Sequence, residues 1–426
     1  MRKNFFTVQL FAFIGFFLIS TITLAQTGTL SPYSRYGIGE IQFNGFAYQR
    51  AMGGLGAALQ YSGRLNFSNP ASYATDTLST VEIGADGMIA KLEDAGHSQQ
   101  KQNANLSYIA LGFPIIKHKW GLSIGVIPFS AVGYDVKQKL QQPIEATYFY
   151  SGSGGINRFY LGNGFRISRK LYAGFNASYL FGSINREKKV EYFQSGYLNN
   201  SYTNTVTIND IILDFGLQYL VELKNDFTLS LGLIGNSSSK INASQSVLWQ
   251  NYYYRSSVST VATALDIVES TDNQKGSITF PVNITGGFFL AKKNKWGVGL
   301  DLNYQDWSNY KSFGASDSLA EGLKLSLGAN KIPDFKSLKY FNRAEYRAGA
   351  FYRDGSLSIR NTSINEYGVT AGVGLPLRKS LQSMINISVE FGQRGTVKDN
   401  LVKEQYGKLF IGITFNEDWF QKRKYD

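Results

Sequence analysis

From about Ser79 onward, apolar and polar positions alternate with period two. In WGVGLDLNYQDW, Trp296, Val298, Leu300, Leu302 and Tyr304 share one face, while Gly297, Gly299, Asp301, Asn303 and Gln305 share the other. Successive side chains of a β-strand point to opposite faces, so this spacing predicts strands with one apolar face and one small or polar face. INISVEFG, ITFPVNIT, IILDFGLQY and KLFIGITFN repeat the split.

Alternation by itself suits a soluble sandwich as well as a membrane wall. The connections separate the two. Tight basic turns near 117–119, 169–170, 224–225, 292–295 and 378–379 alternate with long polar loops near 93–103, 135–154, 187–205, 242–275, 310–321, 354–365 and 395–404. Short turns at one end and long loops at the other are the pattern of an outer-membrane barrel. The reading is all-β: a fourteen-stranded antiparallel transmembrane β-barrel over residues 79–416. The even count leaves both ends of the sheet in the periplasm. The tenth and eleventh strands, 322–331 and 342–353, are joined by IPDFKSLKYF, which is longer than the other periplasmic turns. Pro128 and Gly133 in the third strand and Pro281 in the eighth mark expected bulges or ladder breaks.

The remaining ends read differently. Residues 1–25 have a basic start, an apolar run and a small residue at Ala25, the pattern of a secretory signal peptide cleaved near that residue. No later apolar run approaches the roughly 20 residues of a membrane helix. Residues 417–426 form a charged periplasmic tail. The chain has 44 glycines, 27 tyrosines and 30 phenylalanines, and glycine at such density weakens a soluble sheet. In a barrel it makes room for a plug. The net charge is +12, and much of the positive excess clusters at the periplasmic rim, where it meets solvent, anionic headgroups or an acidic partner. The basic residues form no aromatic-flanked stripe, so no nucleic-acid partner is expected. The expected location is the outer membrane of a Gram-negative bacterium, with outer-membrane lipid around the barrel and outer-membrane or periplasmic proteins as possible partners.

Residues 26–78 break the alternation. They are rich in glycine and small residues at AMGGLGAAL (51–59) and carry a turn signal at Asn69-Pro70-Ala71. A fourteen-strand barrel is too wide for wall side chains to fill, so this segment is expected to plug the lumen. The competing reading is a periplasmic arm. GGLGAAL followed by NPASYA resembles the hatch of the FadL/TodX long-chain fatty-acid transporter superfamily, where an Asn-Pro-Ala motif matches Asn69, Pro70 and Ala71. SPYSRYGIGE (31–40) and the ending GITFNEDWFQKRKYD resemble a Bacteroidota branch of that superfamily. The resemblance is specific at the two ends and architectural between them. It implies a lumenal hatch and passage of hydrophobic molecules, often by lateral exit through the wall. Bacteroidota barrels of this superfamily also look like accessory subunits of secretion or assembly machines. The charged tail after Phe415 and Phe420 departs from the usual aromatic ending.

Expected lumen-facing charges are Glu82, Asp86, Asp214, Asp301 and Glu390 against Arg158, Arg166, Arg347 and Lys408, pairing with one another or with the plug. Arg35 is expected near the hatch, either in a salt bridge to the wall or against a ligand carboxylate. A hydrolytic triad needs a histidine within reach of its serine. The two histidines, His97 and His118, fall in an outer loop and a periplasmic turn. With no cysteine there is no thiolate metal site, and no calcium or phosphate loop is legible. Neither enzyme activity nor a metal or cofactor is expected. Two functions stand: passive uptake of a hydrophobic, fatty-acid-like molecule, and, alternatively, a non-transporting accessory subunit of an outer-membrane secretion or protein-assembly complex.

Overall fold

The computed structural model describes residues 28–42, 45–192, 194, 196–236, 239–254, 262–377 and 380–418. The expected signal peptide with its cut at Ala25, the turn at 378–379, Phe420 and most of the charged tail lie outside the described residues.

Fourteen wall strands run in chain order. They are β1 (Ser79–Glu93), β2 (Ser98–Ile116), β3 (Trp120–Leu140), β4 (Ala146–Arg166), β5 (Leu171–Tyr192) and β6 (Asn199–Glu222). Next come β7, in two pieces (Phe227–Asn236 and Ser239–Tyr254), and β8, also in two (Ala262–Phe280 and Asn283–Lys292). The rest are β9 (Trp296–Asp306), β10 (Glu321–Lys331), β11 (Glu345–Arg353), β12 (Glu366–Leu377), β13 (Ser380–Arg394) and β14 (Lys403–Glu417). Each pairs antiparallel with the next, and β14 pairs back onto β1, from Ser79↔Glu417 to Glu93↔Lys403. The sheet is a closed barrel, as the alternation predicted.

The two faces are those expected. Phe215, Leu233, Val298, Leu302 and Ile411 point outward and are 42–53 % exposed, while Asp301 on the opposite face of β9 is 6 % exposed. Bare apolar side chains ringing the outside need lipid around them. No helix among the described residues is long and apolar enough to cross a membrane, and the crossing is made by strands.

The outer loops differ from the sequence reading. Most of 135–154, 187–205 and 242–275 is strand rather than loop. A tilted strand needs roughly 9–11 residues to cross the hydrocarbon core, yet β6 has 24 and β5 has 22. Their upper halves continue the ladder above the membrane. There no lipid selects an apolar outer face, and the lumen face carries buried aliphatics such as Ile184, Val206 and Ile208, so the apolar-out signal fades although hydrogen bonding continues. Between β1 and β2 only a short turn at 94–97 remains of the expected loop 93–103. The connections after β9, β11 and β13 stay loops, two of them with two-residue hairpins (Lys311–Ser312 with Ala315–Ser316, and Ser358–Ile359 with Thr362–Ser363).

Two of the three expected ladder breaks occur, while Gly133 pairs in register with Ser153. β3 carries a register shift between Pro128 and Ser130, and β8 is interrupted between Phe280 and Asn283, at Pro281. Proline lacks the N–H that a ladder needs.

Candidate functional site

Residues 28–42 and 45–78 pack against the lumen-facing side of the wall. The second stretch, the hatch, begins with one turn of helix, α1 (Ala47–Arg50), and ends with a 3₁₀ helix, Pro70–Thr75. Asn69 caps that helix: its Oδ1 accepts from the Ala71 N–H at 3.1 Å. Proline at the first position suits a helix start because its missing N–H would lack a partner there in any case. The Asn69 amide donates to the carbonyls of Ala57 (2.6 Å) and of Leu217 in β6 (3.1 Å). The Asn-Pro-Ala motif thus closes the hatch on itself and ties it to the wall. Inside the hatch, Asn66 donates to the carbonyls of Gly56 and Leu59 and accepts from the Gln49 amide.

The hatch fits because the wall lacks side chains where it sits. A Cβ added at Gly232 would stand 1.9 Å from the Ala57 oxygen, and one at Gly121 1.9 Å from the Tyr73 oxygen. At Gly174 it would meet Pro70, at Gly216 Asn69, at Gly328 Met52 and at Gly349 Gly53, each nearest approach within 2.1–2.5 Å. Glycines on β3, β5, β6, β7, β10 and β11 therefore form sockets for hatch backbone. Polar wall groups finish the seat. Asp301 accepts from the N–H groups of Gly56 (2.7 Å) and Ala57 (2.9 Å), and Gln218 donates to the carbonyls of Ala57 and Leu59 (3.1 Å each). Glu345 binds both Arg64 of the hatch (2.6 Å) and Arg347 of its own strand (2.9 Å), and Arg347 also donates to Asn386.

The first stretch, here called the strap, is held by charge. Glu40 pairs with Arg394 at 2.8 Å and accepts a short bond from Thr29, while Ser31 donates to Glu404. Arg394 also binds Glu366 (3.2 Å) and lies 3.7 Å from Glu404. Burial works against the charge on Glu40, but Arg394 and then Lys408 outweigh it and hold this carboxyl at about 2. The same Glu40 and its neighbour pair with β3 through their backbone, Glu40↔Ala131 and Ile41↔Ser130, and the Gly133 N–H donates to Ser34 (3.1 Å).

That pairing coincides with a break in the wall. The β2–β3 ladder runs only from Ile116↔Trp120 to Ile109↔Val126. Past Val126, β3 bulges at Pro128 and takes the strap as its neighbour, so β2 residues 98–108 have no ladder partner on that side among the described residues. Gly28 sits at the break: a Cβ there would be 2.7 Å from that of Ala131, and Asn105 of β2 reaches its carbonyl at 3.5 Å.

Between hatch and strap lies a cavity of about 250 Å³ lined by Arg158, Asp214, Asp301, Lys324, Glu366 and Arg394 among others. Above it, Ile38 of the strap meets Phe129, Val132, Ile156, Leu180, Ile208, Ile278 and Trp307 in an apolar core filling the lumen between the upper halves of β3–β8.

The expected lumen charges are mostly where alternation put them. Arg158 pairs with Asp214 at 3.0 Å. Glu82 accepts from Thr414, Asp86 accepts a short bond from Ser107, and Glu390 stands opposite Lys408 in register. Two positions differ. Arg166 is exposed at the periplasmic rim, bonded to the carbonyls of Ser168 and Arg169, because β4 ends there below the hatch. Arg35 lies over the rings of Tyr36 and Tyr150 rather than against a wall carboxylate. The sequence reading missed Glu40, Glu345, Glu366, Arg394 and Glu404. Their signal was present: Arg394 follows Asn386, Ser388 and Glu390 on the lumen face of β13. Among the described residues no group of three or more His, Cys, Asp or Glu could hold a metal ion.

Comparison with known proteins bears on this arrangement in two ways. By structure, the chain is similar to the CymD monoaromatic hydrocarbon channel (TM-score 0.59, 15 % identity, covering 89 % of this chain and 100 % of that one). It is also similar to the toluene transporter TodX of Pseudomonas putida (TM-score 0.56, 16 % identity, 89 % and 99 %) and to a FadL homologue of Pseudomonas aeruginosa (TM-score 0.57, 8 % identity, 88 % and 99 %). At these identities the likeness is one of fold, and the expected fourteen-stranded barrel with a FadL/TodX-like fold is borne out. A search of curated proteins gives no match. By sequence, the family model described as BamG matches residues 5–426, nearly the whole chain, and the protein belongs to that family.

Proposed function

We propose that this barrel serves as a closed, non-transporting subunit of a larger outer-membrane complex that assembles or secretes proteins. The observation that carries the reading is the lumen. A small hydrophobic molecule needs a continuous apolar path or pocket, since sites for such ligands are lined mainly by apolar and aromatic groups. Here the path from outside meets a packed apolar core, then a cavity whose lining mixes paired charges (Arg158 with Asp214, Arg394 with Glu366) with apolar groups such as Ile38, Phe67 and Leu357, then a hatch seated in glycine sockets. An apolar guest there would strip water from the charges on the lining without replacing it. Membership of the BamG family along almost the full chain supports a role proper to that family. CymD, TodX and the FadL homologue share the fold at 8–16 % identity only. In this reading the barrel is a scaffold, its partners are outer-membrane or periplasmic proteins, and no catalytic role is assigned.

The test is gentle detergent extraction of a tagged chain from its native envelope, followed by mass spectrometry. Stoichiometric co-purifying outer-membrane proteins are expected. A barrel that elutes alone under every mild condition overturns the proposal.

One observation favours a second reading, passive uptake of a hydrophobic, fatty-acid-like molecule with lateral exit. It is the break between β2 and β3, which opens in the outer half of the wall and is filled from inside by the strap. Saturable binding of fatty acids or monoaromatic hydrocarbons by the purified chain is the measurement that would promote it.

A further inference from the structure

The longest periplasmic connection, residues 332–344 between β10 and β11, does not behave as a solvated turn. It carries one turn of helix, α2 (Tyr340–Arg343), and is stitched by its own bonds. The Asp334 N–H donates to the Asn342 carbonyl (2.9 Å), the Asn342 amide to Ser337 (3.2 Å), and the Lys336 N–H to the Asp334 carboxylate (3.0 Å). At its start the Ile332 N–H is tied to the Lys295 carbonyl in the neighbouring turn (2.7 Å). A loop this well bonded presents its side chains in fixed positions, and two of them are large, apolar and bare. Leu338 is 100 % exposed and Phe341 69 %. Lipid-facing wall residues such as Val369 (59 %) and Phe391 (61 %) are less exposed, because their neighbours in the sheet cover part of them.

What covers Leu338 and Phe341 follows from where the loop is anchored and from its charge. The Phe341 carbonyl accepts from the hydroxyl of Tyr346 (3.2 Å), the first outward-facing residue of β11 and itself 44 % exposed on the lipid side. Trp296, another outward aromatic, lies in register with Lys331 at the base of the loop. The bare side chains thus continue the aromatic girdle at the periplasmic edge of the lipid belt. Around them stand Lys331, Lys336, Lys339 and Arg343 against a single acid, Asp334. Apolar and aromatic tips set among basic residues at a membrane edge suit the boundary between acyl chains and anionic headgroups.

We propose that residues 332–344 form a wedge that inserts Leu338 and Phe341 into the periplasmic leaflet of the outer membrane, with Lys336 and Lys339 on anionic phospholipid headgroups. The wedge pins the barrel's rotation and depth on the β10–β11 side. This goes beyond the scaffold role proposed above and does not depend on it.

Because the chain contains no cysteine, a single Leu338→Cys substitution gives a unique attachment point at an exposed position. The full-length variant is spin-labelled and reconstituted into vesicles of phosphatidylethanolamine with phosphatidylglycerol. Its accessibility to oxygen and to a water-soluble nickel chelate is compared with labels at Val369→Cys, on the lipid-facing wall, and Gln99→Cys, in the outer part of β2. The expected result is an oxygen-rich, nickel-poor label at 338, close to that at 369. Replacing Lys336 and Lys339 by glutamine should shift it toward water in the anionic vesicles. A label at 338 that reads as aqueous in phospholipid alone overturns the proposal. A label shielded only in native envelopes overturns it as well, in favour of a periplasmic protein partner.

Discussion

Between Phe46 and Asp76 the hatch backbone drops into places where the wall has no side chains, and apart from the Arg64–Glu345 ion pair and the Asp301 carboxylate its polar groups are met largely by neutral or backbone partners. Between Thr29 and Gln42 the strap is held instead by carboxylates gathered around one guanidinium, that of Arg394. The two stretches belong to the same N-terminal segment and fill the same lumen, yet they respond to different variables. A contact made by shape is lost when volume is added. A contact made by buried charge is lost when one partner is removed or neutralised. The closed state therefore has a permanent half and a conditional half, and the conditional half covers the cavity and borders the break beside β3.

The largest effect should come from removing the hub of the strap. Arg394→Gln leaves Glu40 and Glu366 without their shared partner, and breaking a buried ion pair from one side costs about 3–5 kcal/mol. Hydrogen exchange should rise across residues 29–41 and stay unchanged across 47–75. If both stretches loosen together, strap and hatch are one cooperative unit and the contrast between them is void. The converse variant is Gly232→Val. Its side chain would collide with the Ala57 carbonyl, and overpacking costs about 1–3 kcal/mol. Exchange should then rise in residues 55–69 while the strap keeps its protection, and the heat-modifiability midpoint should fall. No change at Gly232→Val would mean the sockets can give way, so that shape does not hold the hatch.

This division was half legible in the chain. The alternation in β9 and β13 gave the wall, its lipid face and its lumen face, because a membrane imposes one hydrophobic pattern on each crossing. GGLGAAL and NPASYA marked the hatch, and glycines such as Gly216 and Gly299 fell on the lumen face where the hatch seats. The strap was less visible. Arg394 and Glu404 face each other across the β13–β14 hairpin, but Glu40 is 354 positions from Arg394, and only the folding of the N-terminal segment into the lumen brings it to them. The upper halves of β5, β6 and β7 were lost for a related reason. Above the membrane no lipid selects an apolar face, so Lys188, Tyr202 and Trp249 read as loop although they pair across adjacent strands. The break between β2 and β3 was hinted at by Pro128, but a proline says where a ladder fails, not what replaces the lost neighbour.

The finest separation of the two halves is by pH. Glu40 has its carboxyl held at about 2 by Arg394 and Lys408 despite its burial, against about 4.5 for the free group. A carboxyl with a lowered pKa binds fewer protons in the docked state than in the free one. Its contribution is complete above pH 4.5, declines as pH falls below that value, and is gone once pH passes through about 2. Acidification in that window should raise exchange and protease sensitivity in residues 29–41. In a Glu40→Gln variant, the neutral side chain removes this part of the response, and the strap should be looser at pH 7 and less sensitive to acid. The hatch segment 52–59 seats through glycine sockets and should hold its protection longer over the same range, although its bond to Asp301 adds one acid-sensitive point. Equal acid sensitivity in Glu40→Gln and the unchanged chain would assign the clamp to Glu366 and Glu404 and leave Glu40 a passenger.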